Sequence, residues 1–135
     1  MCSVYKKEKG FTLIELIIVI TLIGILVGLG LPQFKNATKR TREAALKENL
    51  FTFRKLINQY YVDKGYYPQS LQMLVEEEYL FRIPIDPMTK STETWVEIPQ
   101  VLTLEEMAAG TMPGIVDVQS GSEDTSLDGT AYNTW

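Results

Sequence analysis

The sequence predicts an α+β fold with one long N-terminal helix and a small head that contains a short antiparallel sheet. Three observations predict this fold. Residues 11–31 are almost entirely apolar and would span about 31 Å as a helix, enough to cross a bilayer. An apolar stripe with helical spacing follows, and short β-rich segments lie between turn residues in the last third of the chain. The 135 residues therefore fit one membrane helix and one small domain.

The first element is predicted to be a helix over residues 11–61. Beyond the apolar stretch, large apolar side chains recur at steps of four, three, four and three residues, which places them on one helix face. These side chains are Leu46, Leu50, Phe53, Ile57 and Tyr60. Gly65 fits the end of this helix, because glycine adopts the left-handed conformation without a steric cost. The stripe predicts that this half of the helix forms one side of the head's core.

The remaining elements are predicted to be short. A second helix over residues 71–80 would be capped by Ser70. Residues 94–98 and 115–118 are rich in β-branched and aromatic residues and are predicted to form strands. Thr103 and Glu106 have the spacing of a capping box and predict one further helical turn.

Aromatic residues on or near the two helices are interpreted as core packing rather than as an electron path. They are Phe34, Phe51, Phe53, Tyr60, Tyr61, Tyr66, Tyr67 and Tyr79.

Composition argues against an enzyme. The chain has no histidine, and its one cysteine is Cys2, so the usual nucleophile–base pairs and zinc sites cannot be assembled. Acidic residues dominate the end of the chain, because no Lys or Arg follows Lys90. This end is either a solvated acidic tip or a cation site. Nucleic-acid binding is not expected, since the tip would repel phosphates.

Glu15 is the only charged residue between Gly10 and Lys35. A charge deep in hydrocarbon costs roughly 3 kcal/mol or more, so this carboxylate requires a partner or must reach the headgroups. A basic leader, Gly10 before Phe11, Glu15 four residues later and a long apolar helix together resemble the type IV pilin and pseudopilin signature.

The resemblance implies how the chain is divided and processed. Residues 1–10 would be a leader that a prepilin peptidase removes on the cytoplasmic side, leaving Phe11 as a methylated N-terminus. Residues 11–33 would span the inner membrane, and residues 34–135 would form a periplasmic head. Glu15 would pair with the Phe11 amine of a neighbouring subunit. The stretch that ends at Pro32 would extend on assembly, although its glycines also suit ordinary helix packing in a membrane.

Two segments of the head also resemble major pseudopilins of type II secretion. Residues 84–87 resemble a Pro-x-Asp-Pro loop, although Met88 stands where an aromatic residue is common. The acidic ending resembles a C-terminal loop that binds calcium, with Asp124 and Asp128 as the side-chain ligands and Ser120 and Ser122 beside them. Oxygen ligands on a flexible loop suit calcium. The alternative is an unliganded loop of Asx turns.

The function implied by the resemblance is structural. The chain would polymerise into a periplasmic pseudopilus that drives type II protein secretion, with minor pseudopilins and an inner-membrane assembly platform as further partners. A type IV pilin that forms a surface fibre for adhesion or motility is the alternative. The absence of a cysteine pair near the C-terminus favours the pseudopilus. A third class is a monomeric, membrane-anchored binding protein.

Overall fold

The computed structural model describes residues 9–135, so most of the predicted leader lies outside the described residues. The chain divides into two compact units, one ending at Ala37 and the other formed by Thr38–Trp135. The elements in order are helices and strands α1 (Leu13–Lys64), α2 (Leu71–Glu76), β1 (Val96–Pro99), α3 (Leu104–Ala108) and β2 (Ile115–Gln119), followed by a 3₁₀ turn over Tyr132–Thr134. The predicted α+β class is confirmed, whereas the predicted domain boundaries stay predictions.

Helix α1 begins at Leu13, two residues later than predicted. The Glu15 amide donates to Thr12 Oγ1 at 3.3 Å, so Thr12 caps the helix and holds residues 11 and 12 outside it. The helix ends at Lys64 rather than at residue 61. Gly65 follows with a φ of +80°, and its amide donates to Tyr61 O at 2.8 Å. The left-handed glycine predicted after the helix is therefore confirmed.

In the first unit, the apolar side chains of α1 remain exposed. Every residue from Leu13 to Leu31 is exposed, and Pro32 lies inside the helix. Within the described residues, α1 is the one helix long and apolar enough to cross a membrane. An exposed apolar surface of this length fits a membrane anchor, because such a surface is unfavourable in water.

The core of the second unit is built on the predicted stripe. All five stripe residues are at most 2% exposed, so this prediction is confirmed; they are Leu46, Leu50, Phe53, Ile57 and Tyr60. The other elements contribute Leu71, Leu74, Trp95, Ile115, Val118 and Tyr132. Each large apolar side chain buried this way contributes about 1.5–3 kcal/mol to folding. The core therefore fixes which face of α1 the remaining chain covers.

Helix α2 ends at Glu76, four residues earlier than predicted. Glu78 adopts a φ of +62°, and the Tyr79 amide donates to Leu74 O at 2.9 Å. These are the features of a Schellman ending, formed here without glycine. The predicted cap at Ser70 is confirmed, since its side chain accepts from the Met73 amide at 3.2 Å.

The two strands form an antiparallel pair with Val96 opposite Gln119 and Ile98 opposite Asp117. The register shifts between Ile98 and Pro99. Both predicted strands are present, and their bounds differ from the predicted ones by one or two residues. A loop of residues 100–114, which we call the hairpin arm, joins the strands and contains α3.

The base of the hairpin arm packs closely on the chain before α2. The Gln100 amide donates to Gly114 O at 2.7 Å, and the Ile115 amide donates to Pro68 O at 2.7 Å. A Cβ at Gly114 would lie 2.5 Å from Tyr67 Cβ, so only glycine fits there without a shift of the backbone. The arm is therefore attached firmly at its base.

One sequence expectation is corrected in part. Phe51 is 63% exposed and Phe34 is also exposed, because neither lies on the buried stripe, so the core interpretation of the aromatic residues holds only in part. The final aromatic residues of the chain pack against one another: Tyr132 is buried, and its ring lies edge-on to Trp135 at 5.1 Å between ring centroids.

Candidate functional site

The N-terminal site brings Gly10, Phe11 and Glu15 together around the first turn of α1. Phe11 is 86% exposed and precedes the capping residue Thr12. Glu15 lies in the first turn, where a carboxylate interacts favourably with the helix dipole. Pro32 lies 17 residues further along the same helix, which corresponds to about 25 Å. The predicted processing and assembly residues therefore occupy two separate places.

The Glu15 carboxylate has no hydrogen-bond or ion-pair partner among residues 9–135. Its neighbours on the helix surface include Leu13, Leu16 and Val19. A carboxylate in such apolar surroundings is strongly favoured by an opposite charge, because the local dielectric constant is low. The described part of the chain leaves that counter-charge to another group.

In the C-terminal loop, Ser120 of the predicted calcium site bonds a carboxylate that was not predicted to belong to that site. Ser120 Oγ donates to Asp86 Oδ2 at 2.6 Å, and both residues are fully buried. Ser120 Oγ also accepts from the Ser122 amide at 3.2 Å, and Ser122 Oγ accepts from the Asp124 amide at 3.3 Å. These bonds form a ladder that fixes the backbone from Ser120 to Asp124.

Asp86 connects this ladder to the proline-containing loop. Its Oδ1 accepts from the Met88 amide at 2.8 Å, and its backbone carbonyl accepts from the Lys90 amide at 2.7 Å. The sequence identified the loop but did not assign Asp86 this position. A buried carboxylate is tolerated here because each of its oxygens accepts a hydrogen bond.

The carboxylates of Asp124 and Asp128 accept no hydrogen bond from the described residues, and both residues are exposed. Residues 9–135 contain no group of three or more His, Cys, Asp or Glu residues that could hold a metal ion. The structure thus joins Ser120 to Asp86 and Ser122 to the backbone of Asp124, and it leaves the carboxylates of Asp124 and Asp128 as separate candidate ligands. Calcium binding stays a prediction.

Glu43 is a site residue that the sequence reasoning missed. It lies on α1, is 8% exposed, and its Oε1 accepts from the Leu127 amide at 2.9 Å and from the Tyr132 hydroxyl at 2.7 Å. Position 43 precedes Leu46 by three residues and so continues the apolar stripe. An acidic residue on that stripe was the signal that could have revealed it.

The pKa values of Glu43 and Tyr132 shift in opposite directions. Burial alone raises the pKa of Glu43, but the bonds from Leu127 and Tyr132, together with Lys39 and Lys47, lower it below its usual value. Burial, followed by the bond to Glu43, raises the pKa of Tyr132 to about 12. The pair is therefore held as a carboxylate and a neutral phenol at neutral pH.

Three basic side chains of α1 contact the same C-terminal segment. Lys39 Nζ donates to Thr125 O at 2.7 Å, and Arg54 Nη2 donates to Trp135 O at 3.0 Å. Lys47 Nζ lies 4.8 Å from the centroid of the Trp135 ring. Arg54 also pairs with Asp117 of β2 at 2.7 Å. Polar contacts on both sides of Glu43 thus fasten the end of the chain to the helix.

Comparison with known proteins agrees with these features. The prokaryotic N-terminal methylation motif matches residues 5–31. The type II secretion system core protein G of Escherichia coli is 29% identical over 97 residues, which cover 60% of this chain and 67% of that protein. The same-named protein of Pseudomonas aeruginosa is 28% identical over 98 residues, which cover 61% of this chain and 69% of that protein. The fimbrial protein EcpC of Eikenella corrodens is 39% identical over 63 residues, which cover 47% of this chain and 41% of that protein. No solved structure matches the chain.

The long helix, the two-stranded sheet and the short helices are consistent with a pilin-like α+β fold, and the N-terminal part of the chain carries a methylation motif. More particularly, the chain is homologous to the core protein G pseudopilins of type II secretion. It covers about two thirds of those relatives and less than half of the fimbrial protein.

Proposed function

We propose that this protein is a structural subunit that polymerises into a periplasmic pseudopilus and so drives type II protein secretion. The observation that carries the proposal is Glu15, a carboxylate without a partner among the described residues, at the start of an exposed apolar helix. The homology to core protein G supports the same function. No catalytic role is proposed.

Assembly follows from the electrostatics of this helix. A subunit in the membrane carries an uncompensated Glu15, and a processed neighbour carries a cationic amine at Phe11. Contact between the two groups satisfies both charges where the dielectric constant is low. The contact also sets the axial register of adjacent helices, because each charged group occupies a fixed position at the start of its own chain. A subunit that has already docked then offers its own Glu15 or amine to the next subunit.

The proposed partners follow from this order of events. A prepilin peptidase cuts between Gly10 and Phe11 on the cytoplasmic side and methylates the new amine. The helix stays in the inner membrane and the head faces the periplasm. Minor pseudopilins and an inner-membrane assembly platform start and extend the filament, and the backbone before Pro32 extends as the helices pack.

Processing is tested by intact-mass spectrometry of protein from purified filaments. The expected mass is that of a chain that begins at Phe11 and carries one methyl group. Gly10→Val is the matched variant and should leave the leader attached and abolish filaments. Filaments composed of full-length, unmethylated chains would contradict the proposal.

The alternative is a type IV pilin that forms a surface fibre, and the identity to a fimbrial protein over 63 residues favours it. Deletion of the gene, assayed for both secreted proteins and fibres on intact cells, separates the two functions. Loss of secretion with no change in surface fibres supports the pseudopilus. Loss of fibres with normal secretion supports the pilin.

We also propose that the C-terminal loop binds calcium through the free carboxylates of Asp124 and Asp128. Calcium at millimolar concentration should raise the melting temperature of the full chain in detergent, and Asp124→Asn with Asp128→Asn should remove this effect. Magnesium and Glu93→Gln are the controls, since Glu93 is another exposed acidic residue of the part of the chain beyond Lys90. An unchanged melting temperature in calcium would contradict calcium binding.

A further inference from the structure

The hairpin arm presents apolar side chains to solvent. Val101 is 92% exposed and Leu104 is 85% exposed, and Met107 and Met112 are also exposed. Apolar side chains grouped on one short projection are unusual on a monomer's surface and mark an interaction site. They contrast with the core of the same unit, where comparable side chains are fully covered.

The arm holds its shape through its own hydrogen bonds. Thr103 Oγ1 accepts from the Glu106 amide at 3.3 Å, and Glu106 Oε2 accepts from the Thr103 amide at 2.8 Å, which completes a capping box. Gly110 ends the short helix with a φ of +76°. Because the arm is ordered before any contact forms, docking it requires little further loss of conformational entropy.

A complementary surface lies on the exposed face of α1. A cleft of about 390 Å³ is lined by Leu50, Phe51, Thr130 and Trp135, with Lys47, Arg54 and Asp128 at its polar positions. Phe51 is one of the exposed aromatic residues of the head. Lys55 lies four residues after Phe51 on the same helix face and has no ion-pair partner within the described chain. The cleft therefore combines apolar walls with the cations of Lys47 and Arg54 and the carboxylate of Asp128, and Lys55 adds a cation beside Phe51.

We propose that the hairpin arm of one copy docks into the Phe51 cleft of a second copy. Leu104 enters beside Phe51, and Glu105 faces Lys47 and Lys55. Glu105 is exposed and forms no ion pair within the described chain, so its charge is available for this contact.

Charge selects this occupant over the other prominent apolar projection. Phe81 is also highly exposed, but Arg82 follows it, and a cation would approach Lys47, Arg54 and Lys55. The arm carries Glu105 and Glu106. It contains no cation, because no Lys or Arg follows Lys90. Electrostatic complementarity of this kind favours the correct pairing and disfavours like-charged alternatives.

The two surfaces differ, so the contact is heterologous. A heterologous contact leaves a free arm on one copy and a free cleft on the other, and it repeats into an open polymer when the rotation between copies does not close a ring. This inference rests on the proposed filament function and deepens it, because it names the head surfaces that meet when the helices associate.

Disulfide cross-linking of the full chain in membranes tests the contact. In a Cys2→Ser background, Phe51→Cys combined with Leu104→Cys should give a ladder of covalent multimers after mild oxidation. Each single variant should give at most a dimer. Phe51→Cys combined with Phe81→Cys is the matched control and should give no ladder, since a disulfide requires Cβ atoms within about 4.5 Å.

Charge reversal provides the second readout. Lys55→Glu and Glu105→Lys should each lower the yield of the ladder by about threefold to fivefold, as expected for an exposed ion pair. Their combination should restore the yield. Glu76→Lys reverses an exposed charge on α2 that has no assigned role and should leave the yield unchanged.

The outcomes separate this inference from the proposed function. Filaments seen by electron microscopy without a Phe51–Leu104 ladder overturn the docking of the arm and leave the filament function standing. A ladder formed by Phe51→Cys combined with Phe81→Cys also overturns the docking of the arm. A parent chain that forms no filaments overturns both. A ladder that the charge reversals weaken and their combination restores supports the inference.

Discussion

Two glutamates on α1 have opposite surroundings. Glu15 lies in the apolar first unit, and its carboxylate contacts no donor among residues 9–135. Glu43 lies in the second unit, is buried, and accepts hydrogen bonds from Leu127 and Tyr132. One charge is fully compensated inside the fold, and the other depends on a group that the described chain does not supply.

The difference teaches which part of the helix stabilises the subunit and which part is left for association. A buried charge whose partners belong to the same chain raises the stability of that chain. A charge that finds its partner only on another molecule contributes to assembly instead. Stability and assembly should therefore respond to different substitutions on one helix.

The largest effect is expected for Glu15→Ala. Removal of the only charge in the apolar stretch should reduce filament yield at least about tenfold, because a single buried ion pair exceeds 1.4 kcal/mol. The free energy of unfolding of the head should change by less than about 0.5 kcal/mol. Electron microscopy and thermal melts of the same preparation measure both quantities. Normal filament yield would show that the charge is not used for assembly.

Glu43→Ala should give the reverse pattern. The Leu127 amide and the Tyr132 hydroxyl lose their acceptor, and the free energy of unfolding should fall by about 3 kcal/mol. Glu48→Ala is the matched control on the same helix. Its side chain is exposed and should change stability by less than about 0.5 kcal/mol. Equal effects of the two substitutions would contradict the role assigned to Glu43.

Tyr132→Phe sharpens the comparison by removing one donor and keeping the ring. The free energy of unfolding should fall by about 1.5 kcal/mol, the value of one hydrogen bond to a charged group. Because the folded pKa of Tyr132 is about 12, its contribution is complete below pH 10 and is lost as the pH rises through 12. Chemical denaturation at pH 7 and in alkaline buffer tests both statements.

The smallest effect concerns acid pH. The folded pKa of Glu43 is lower than the ordinary value of 4.5, so its ionised form stabilises the fold above pH 4.5. This contribution disappears as the pH falls through the folded pKa. The free energy of unfolding of the parent should exceed that of Glu43→Gln by about 1 kcal/mol at pH 7, and the two should be equal in strong acid. A difference that grew on acidification would contradict the assigned sign.

Local signals in the sequence predicted much of this structure. The stripe from Leu46 to Tyr60, the caps at Ser70 and Thr103, and the left-handed Gly65 were all identified correctly. Each depends on residues within a few positions of one another, where spacing alone fixes geometry. The early end of α2 was missed because Glu78 adopts a conformation that glycine usually supplies.

Contacts between distant residues could not be predicted in this way. Glu43 meets Leu127 and Tyr132, and Asp86 meets Ser120, only because the fold brings together segments that are far apart in the sequence. Phe51 and Phe53 have the same chemical type, yet only the packing of the head decides that one is exposed and the other buried. The sequence by itself determined the kind and order of the elements and the isolated charge of Glu15, because these follow from neighbouring residues. Tertiary structure decided which polar groups found partners, because that requires three-dimensional proximity.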